Sequence, residues 1–274
     1  MTTTQSSFPT LLRKLIALFR ASRMALHLAY GLTIAIVFPR LNQALRRRIL
    51  RRWSSELLNI LNVRLQLSAN DNFYTLNSGI IVTNHISWLD VFVLNAVVPM
   101  RFVAKAEVQD WPVIGWFCMR AQTLFIERGR ARDAARVNRQ IVELLQAGEC
   151  LAVFPEGTTT DGTDVAAFHA SLLQPAVDAK VNVHPVAIHY QDAKGRHSTA
   201  AAYIDDISFG ASLWSILNCR SLHVNLVTTR TLDASCSDRR TMTRLAHSQI
   251  SEAIQIMHTT RKRPVVATID EPLE

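Results

Sequence analysis

From about residue 60 the apolar positions fall into short β-branched runs, separated by longer stretches with helical spacing. That alternation predicts an α/β protein with a mixed, largely parallel central sheet flanked by helices. Strands are expected at 63–67, 73–76, 80–83, 101–104, 123–126, 151–154, 182–189, 200–204 and 222–228. Helices are expected to begin at Ser87, near Pro112, at Arg130, near Val165 and near Asp238. The Arg130 helix should run to about Ala147, with Gly148 just past its end, and Pro99 should stop the helix after Ser87. No repeat or low-complexity segment interrupts this pattern.

The first 55 residues follow a different rule. Leu11, Leu12, Leu15, Ile16, Leu18 and Phe19 recur near helical spacing, and 24–38 is almost wholly apolar. That apolar stretch falls short of the roughly 20 residues a spanning helix needs. Basic clusters flank it on both sides, which favours neither end crossing. An interfacial or re-entrant helix pair on a cytoplasmic leaflet fits best, with an ordinary core helix as the bland reading. A signal peptide is discarded, because Phe38-Pro39-Arg40 follows instead of a small-residue cleavage site. The chain thus divides into a membrane-associating helical arm at 1–55, an α/β domain at 56–260 and a fraying tail at 261–274.

Charge sharpens that division. The chain of 274 residues has 30 basic and 22 acidic side chains, a formal net charge of +8. Ten of the basic groups and none of the acids lie within 1–55, so the remainder carries 20 basic against 22 acidic groups. The positive excess therefore sits in an arm that is also apolar, which suits an anionic bilayer better than nucleic acid. Cys118, Cys150, Cys219 and Cys236 form no CxxC pair and no zinc spacing, so reduced thiols are expected.

Two strand-like runs end in titratable residues. Ile80-Ile81-Val82 leads into Asn84-His85-Ile86-Ser87-Trp88-Leu89-Asp90, and Leu151-Ala152-Val153 into Phe154-Pro155-Glu156-Gly157-Thr158. In open α/β sheets the carboxyl edge of the strands is where ligands bind. Ser87 and Asp90 match a helix cap, Ser87 as N-cap with Asp90 reaching back to its amide. The functional reading has Asp90 holding one tautomer of a neutral His85 that accepts a proton from an alcohol. One carboxylate can do both. Amides near Gly157 are candidate donors to an oxyanion, and Glu127-Arg128 would close another strand on the same edge. His184 and His189 fall on opposite strand faces, which argues against a metal site there.

No G-x-S-x-G, P-loop, G-x-G-x-x-G or H-E-x-x-H motif is present. A serine hydrolase, an NTPase, a dinucleotide enzyme and a zincin thereby lose their simplest support.

At these residues the chain resembles the glycerolipid acyltransferase family, whose familiar members are bacterial 1-acylglycerol-3-phosphate acyltransferases. The segment 84–90 is similar to the family block N-H-x-S-x-x-D, Phe125-Ile126-Glu127-Arg128 to one ending F-I-x-R, and 154–158 to F-P-E-G-T. Val183-His184-Pro185-Val186-Ala187-Ile188 resembles a fourth block, and Val103-Ala104-Lys105-Ala106-Glu107 with Trp111-Pro112 has the family's look between the first two. The resemblance covers about 60–230.

It implies acyl transfer from acyl-CoA or acyl-carrier protein to a lysolipid hydroxyl, most simply 1-acylglycerol-3-phosphate. His85 would be the general base and Asp90 its partner. Arg128, Glu156, Gly157, Thr158 and Lys105 would bind substrate, with no metal and no resident cofactor. Partners would be the two substrates and a membrane surface, at the cytoplasmic face of the inner membrane, with no nucleic acid. Two departures matter: Gln122 stands where the family usually has Gly, and Thr159 where it usually has a basic residue. Lyso-ornithine lipid is therefore an alternative acceptor. A non-catalytic lipid-binding protein and a thioesterase using water or Ser87 are alternatives of other classes.

Overall fold

The computed structural model describes residues 10–68, 73, 76, 78–127, 131–236 and 238–259. Two helices lead, α1 (Thr10–Val37) and α2 (Gln43–Ile60), before strand β1 (Val63–Ser68). Then follow β2 (Gly79–Thr83), α3 (Asp90–Val97), β3 (Arg101–Lys105), α4 (Ile114–Arg120) and β4 (Leu124–Ile126). The chain continues through α5 (Ala131–Gln146), β5 (Cys150–Val153), α6 (Gln174–Ala179) and β6 (Val183–Asp192). It closes with α7 (Phe209–Asn218), β7 (Leu222–Thr228) and α8 (Arg239–Thr259).

These strands form one seven-stranded sheet in the order β1-β7-β6-β2-β5-β3-β4. The five from β6 to β4 are parallel, whereas β7 joins β6 antiparallel and carries β1 with it. Because β2 and β5 are parallel neighbours, with Val82 level with Val153, the loops that leave their carboxyl ends emerge side by side.

Both faces of the sheet are covered, as parallel strands require. Alternate residues of β2 feed opposite layers: Ile80 and Val82 pack with Val137 and Ile141 of α5 and with Met242 and Ile250 of α8. Ile81 packs instead into a layer with Leu57 of α2, Val93 of α3 and Ile216 of α7. The central strands are buried along their whole length, which is why they read as continuous apolar runs.

The arm is attached to this body. One stripe of α1 faces inward: Ala17 is buried in the core, His27 stacks on Trp53, and Gly31 lies so close to Trp53 that a Cβ would come within 2.7 Å of its indole nitrogen. Arg20 donates to the carbonyls of Leu217 and Cys219, capping the end of α7. The boundary expected between residues 55 and 56 falls inside α2, whose Leu57, Leu58 and Ile60 are buried. The arm's polar face and its core-facing turn belong to one continuous helix.

Other expectations need correction. The helix containing 24–37 is 28 residues long, about 42 Å at 1.5 Å per residue, because its amphipathic start continues without a break. By length and composition alone the segment Lys14–Arg40 suffices to cross a membrane, and it is one such helix among the described residues. The helix expected from Ser87 begins at Asp90, since the preceding turn is drawn onto the Asp90 carboxylate. The segment near Val165 stays irregular, because the Ala166 amide is held by Glu156; helix resumes at Ala170–Leu173, a 3-10 turn that leads into α6. The run 200–204 makes no strand: Ala201 and Ala202 are buried, but Tyr203 donates its amide to the loop carbonyl of Ile86. The helix α7 was not expected, although Ser208 caps it by accepting from Ala211. Of the strand expected at 73–76, residues 74 and 75 lie outside the described ones, and the Leu76 amide closes a turn onto Phe73. The tail expected at 261–274 lies outside them as well.

Candidate active site

At the end of β2 the imidazole of His85 meets the carboxylate of Asp90, Nδ1 to Oδ2 at 2.9 Å. The same oxygen accepts the amides of Ile86 at 2.8 Å and Ser87 at 2.9 Å. The other carboxylate oxygen accepts the Tyr190 hydroxyl at 2.7 Å. Four donors thus converge on a side chain with no solvent exposure. An acceptor-only carboxylate requires His85 to present Nδ1–H, which leaves the Nε2 lone pair as the ring's free basic position. The His85 side chain keeps 22% exposure, so the ring is partly open to solvent while Asp90 is not. Its ring is stacked on Phe154 with centroids 3.9 Å apart, which fixes its plane.

The cap and the dyad are one arrangement. Asp90 performs the amide capping expected of a helix start and orients the imidazole with the same oxygen. Ser87 is buried, and its Oγ accepts from Leu89 at 3.2 Å, which leaves it poorly placed to act as a nucleophile.

Glu156 arrives from the neighbouring strand. Its Oε1 accepts the His85 amide at 2.6 Å and its Oε2 the Ala166 amide at 2.8 Å. Burial raises its carboxyl above the ordinary value, against the pull of those two amides. The side chain expected to bind substrate therefore grips the backbone at both ends of the site instead. Thr160 adds a second tie by donating its amide to the His85 carbonyl at 2.8 Å.

Gly157 has φ +68°, a conformation suited to glycine, and its amide is committed to Phe154 O at 3.0 Å. The donor expected there is thus already engaged. Thr158 beside it is exposed. Lys105 is exposed at the carboxyl end of β3, on the same edge. Arg128 lies outside the described residues; Glu127 precedes it at the end of β4, three strand positions from β2, about 14 Å at the usual strand spacing.

The two departures have physical explanations. Gln122 has φ +61°, the left-handed region glycine favours, and its side chain accepts from Arg46 of α2 at 2.5 Å. Thr159 turns its hydroxyl onto the Tyr203 carbonyl, and the loop 154–163 contains no basic residue. Two features escaped the sequence reading. Tyr190 was invisible because its partner is a hundred residues away, and the cluster of His189, His197 and His258 joins three separate segments. A shallow groove lined by Ala135, Asn138, Arg139 and Val142 lies on the α5 side of the molecule and takes no part in this site.

Residues 64–189 match the Acyltransferase family model. The chain is 37% identical over 164 residues to a 1-acyl-sn-glycerol-3-phosphate acyltransferase of Neisseria gonorrhoeae, covering 60% of this chain and 64% of that protein. It is 34% identical over 250 residues to a lyso-ornithine lipid O-acyltransferase of Pseudomonas aeruginosa, covering 88% and 94% respectively. The fold is that of a solved 1-acyl-sn-glycerophosphate acyltransferase from Thermotoga maritima, with a TM-score of 0.70, 18% identity and coverage of 92% of this chain and 99% of that one.

Proposed function

This chain belongs to the glycerolipid acyltransferase family, and from that premise we propose that it moves a fatty acyl group from acyl-CoA or acyl-carrier protein to the free hydroxyl of a lysolipid. The observation that carries this reading is the His85–Asp90 pair, closed from behind by Tyr190. His85 Nε2 takes the hydroxyl proton as the lipid oxygen attacks the thioester carbonyl. A C–O bond forms, the tetrahedral intermediate collapses, and the C–S bond breaks. The leaving thiolate recovers the proton from the imidazolium, which Asp90 has stabilised meanwhile. Products are the diacylated lipid and free thiol, with no acyl-enzyme. Glu156 acts as a positioning residue that sets the backbone of His85. Arg128 and Lys105 are left to contact the polar ends of the substrates.

The acceptor we favour is a lysolipid without a terminal phosphomonoester, of the lyso-ornithine kind. Thr159 supports it: the loop beside the imidazole offers no cation to a phosphate, and the relative matched over 88% of this chain acts on lyso-ornithine lipid. The second reading, 1-acylglycerol-3-phosphate, is supported by the relative from Neisseria. Release of free thiol, followed with both lysolipids and both donors, decides between them. Faster turnover of lyso-ornithine lipid supports the first, and a preference for the phosphate acceptor replaces it. Silence with every pair would leave only a lipid-binding protein, which an intact, fully hydrogen-bonded dyad argues against.

The arm supplies the route for an insoluble substrate. Leu15, Leu18, Phe19 and Leu26 of α1 are 54%, 57%, 63% and 72% exposed, too much apolar surface to leave in water. With Lys14, Arg20 and Arg23 on the same helix, it is suited to lie in an anionic cytoplasmic leaflet.

A further inference from the structure

Where β6 runs between β2 and β7, on the face of that strand opposite Tyr190, three imidazoles meet. His189 lies within β6 and has no solvent exposure. A tight turn, closed by Asp192 donating to the Arg196 carbonyl, folds the following segment back so that His197 pairs with Gln191. That register sets His197 diagonally across from His189, on the same face. His258 reaches them from the last turn of α8. One nitrogen from each ring lies within 4.8 Å of the others.

Ordinary packing explains this cluster poorly. His189 Nε2 and His197 Nδ1 face each other, while the far nitrogens of the two rings, Nδ1 and Nε2, are buried with no hydrogen bond to hold them. Neutral imidazole is the form a metal ion requires. His189 Nε2 stands 3.2 Å from His197 Nδ1, close to the edge of about 3.3 Å for a tetrahedron with metal–nitrogen bonds of about 2.0 Å. His258 Nε2 lies 3.2 Å from the Gly162 carbonyl, the kind of backbone contact that orients a ligating ring. Asp161, next to Gly162, places a carboxylate near His197.

We propose that His189, His197 and His258 bind one divalent transition ion of the zinc class, a site separate from the acyl-transfer dyad. Imidazole donors select such an ion over magnesium, which prefers oxygen. Its role follows from what the three rings join. His258 touches the loop that leaves β5, and two residues earlier Thr160 of that loop holds the His85 carbonyl. A bound ion would clamp this loop to β6 and α8 and brace the active-site turn from outside, without contacting substrate.

The test uses the untagged full chain, treated with chelator and then titrated with zinc chloride by calorimetry, with thermal unfolding followed alongside. One equivalent should bind and raise Tm, while magnesium chloride at the same concentration should leave Tm unmoved. In the double variant His197→Ala/His258→Ala the affinity should fall at least about 100-fold, since losing even an outer partner of a ligand costs about 10–100-fold. Both rings are partly exposed, so the variant is expected to keep its fold, which circular dichroism checks. A wild-type chain that takes up no zinc overturns the proposal without any variant. A folded double variant that binds the same equivalent equally well overturns it too.

Discussion

The Tyr190 hydroxyl donates to Asp90 Oδ1 at 2.7 Å, on the side of the carboxylate opposite His85. Both groups are fully buried, and burial, followed by contact with Asp90, holds the phenol well above its ordinary pKa, so it remains a donor. The dyad is therefore a triad in its geometry, with the third member supporting the carboxylate instead of the imidazole.

Tyr190→Phe removes that donor and leaves a buried carboxylate oxygen unpaired. Stability should fall by about 1–3 kcal/mol. Turnover should fall by about tenfold with KM little changed, because a hydrogen bond to a charged group is worth about 1.5–3 kcal/mol and only part of it acts through orientation. Thermal unfolding and steady-state kinetics read both quantities. Wild-type values in each would remove Tyr190 from the account.

How much of this was legible depends on sequence distance. The His85–Asp90 pair could be read because both residues lie in one turn and that turn follows a continuous apolar strand. Glu156 could be brought to the same edge because its strand ended similarly, yet its actual partners, two backbone amides, were not readable from side-chain types. Tyr190 sits inside an apolar run and looked like core. The segment 200–204 had a strand's composition but met no free edge to pair with, so it crosses beside the site as an irregular stretch. Gln122 was visible as a departure, and only the positive φ explains why glycine is the usual choice there.

Val113 exposes a second strained position. It has φ +65° and ψ −55°, and the Ile114 amide bonds back to Pro112 O at 2.7 Å, a three-residue turn that disfavours β-branched side chains. Its side chain is half exposed, so little packing is lost on truncation. Val113→Gly should stabilise the protein by about 1 kcal/mol, raising Tm by about 2–4 °C. A lower Tm would show that the side chain contributes more than the backbone loses.

The arm's membrane role can be separated from its structural one. Removing residues 1–55 would cut α2 and expose the core beneath Leu57, so truncation cannot discriminate. Replacing Leu15, Leu18, Phe19 and Leu26 by Gln changes only exposed positions. Flotation with anionic vesicles should fall several-fold while Tm in detergent stays within about 2 °C. Undiminished flotation would place the anchor elsewhere.

Acid should weaken the metal-free fold through its buried imidazoles. Burial lowers His184, His189 and His197, the second of these to about 3, below the 6.5 of an ordinary imidazole. Between those values the unfolded chain binds more protons, so their contribution is complete above about pH 6.5 and is lost as pH falls toward 3. Glu156, with a raised carboxyl pKa, works in the opposite sense. Tm measured in chelator should drop between about pH 7.5 and pH 5, and His189→Gln should make that drop shallower. A Tm that holds or rises on acidification would contradict this sign.

The central claim is that His85 takes the proton from the acceptor hydroxyl. Thiol release by wild type and His85→Ala, with the same lysolipid and donor and with folding checked by thermal unfolding, tests it most directly. A general base contributes about 10²–10⁴-fold, so turnover should fall by that factor in a variant that unfolds near the wild-type temperature. A folded His85→Ala protein that acylates lysolipid at the wild-type rate would contradict the account.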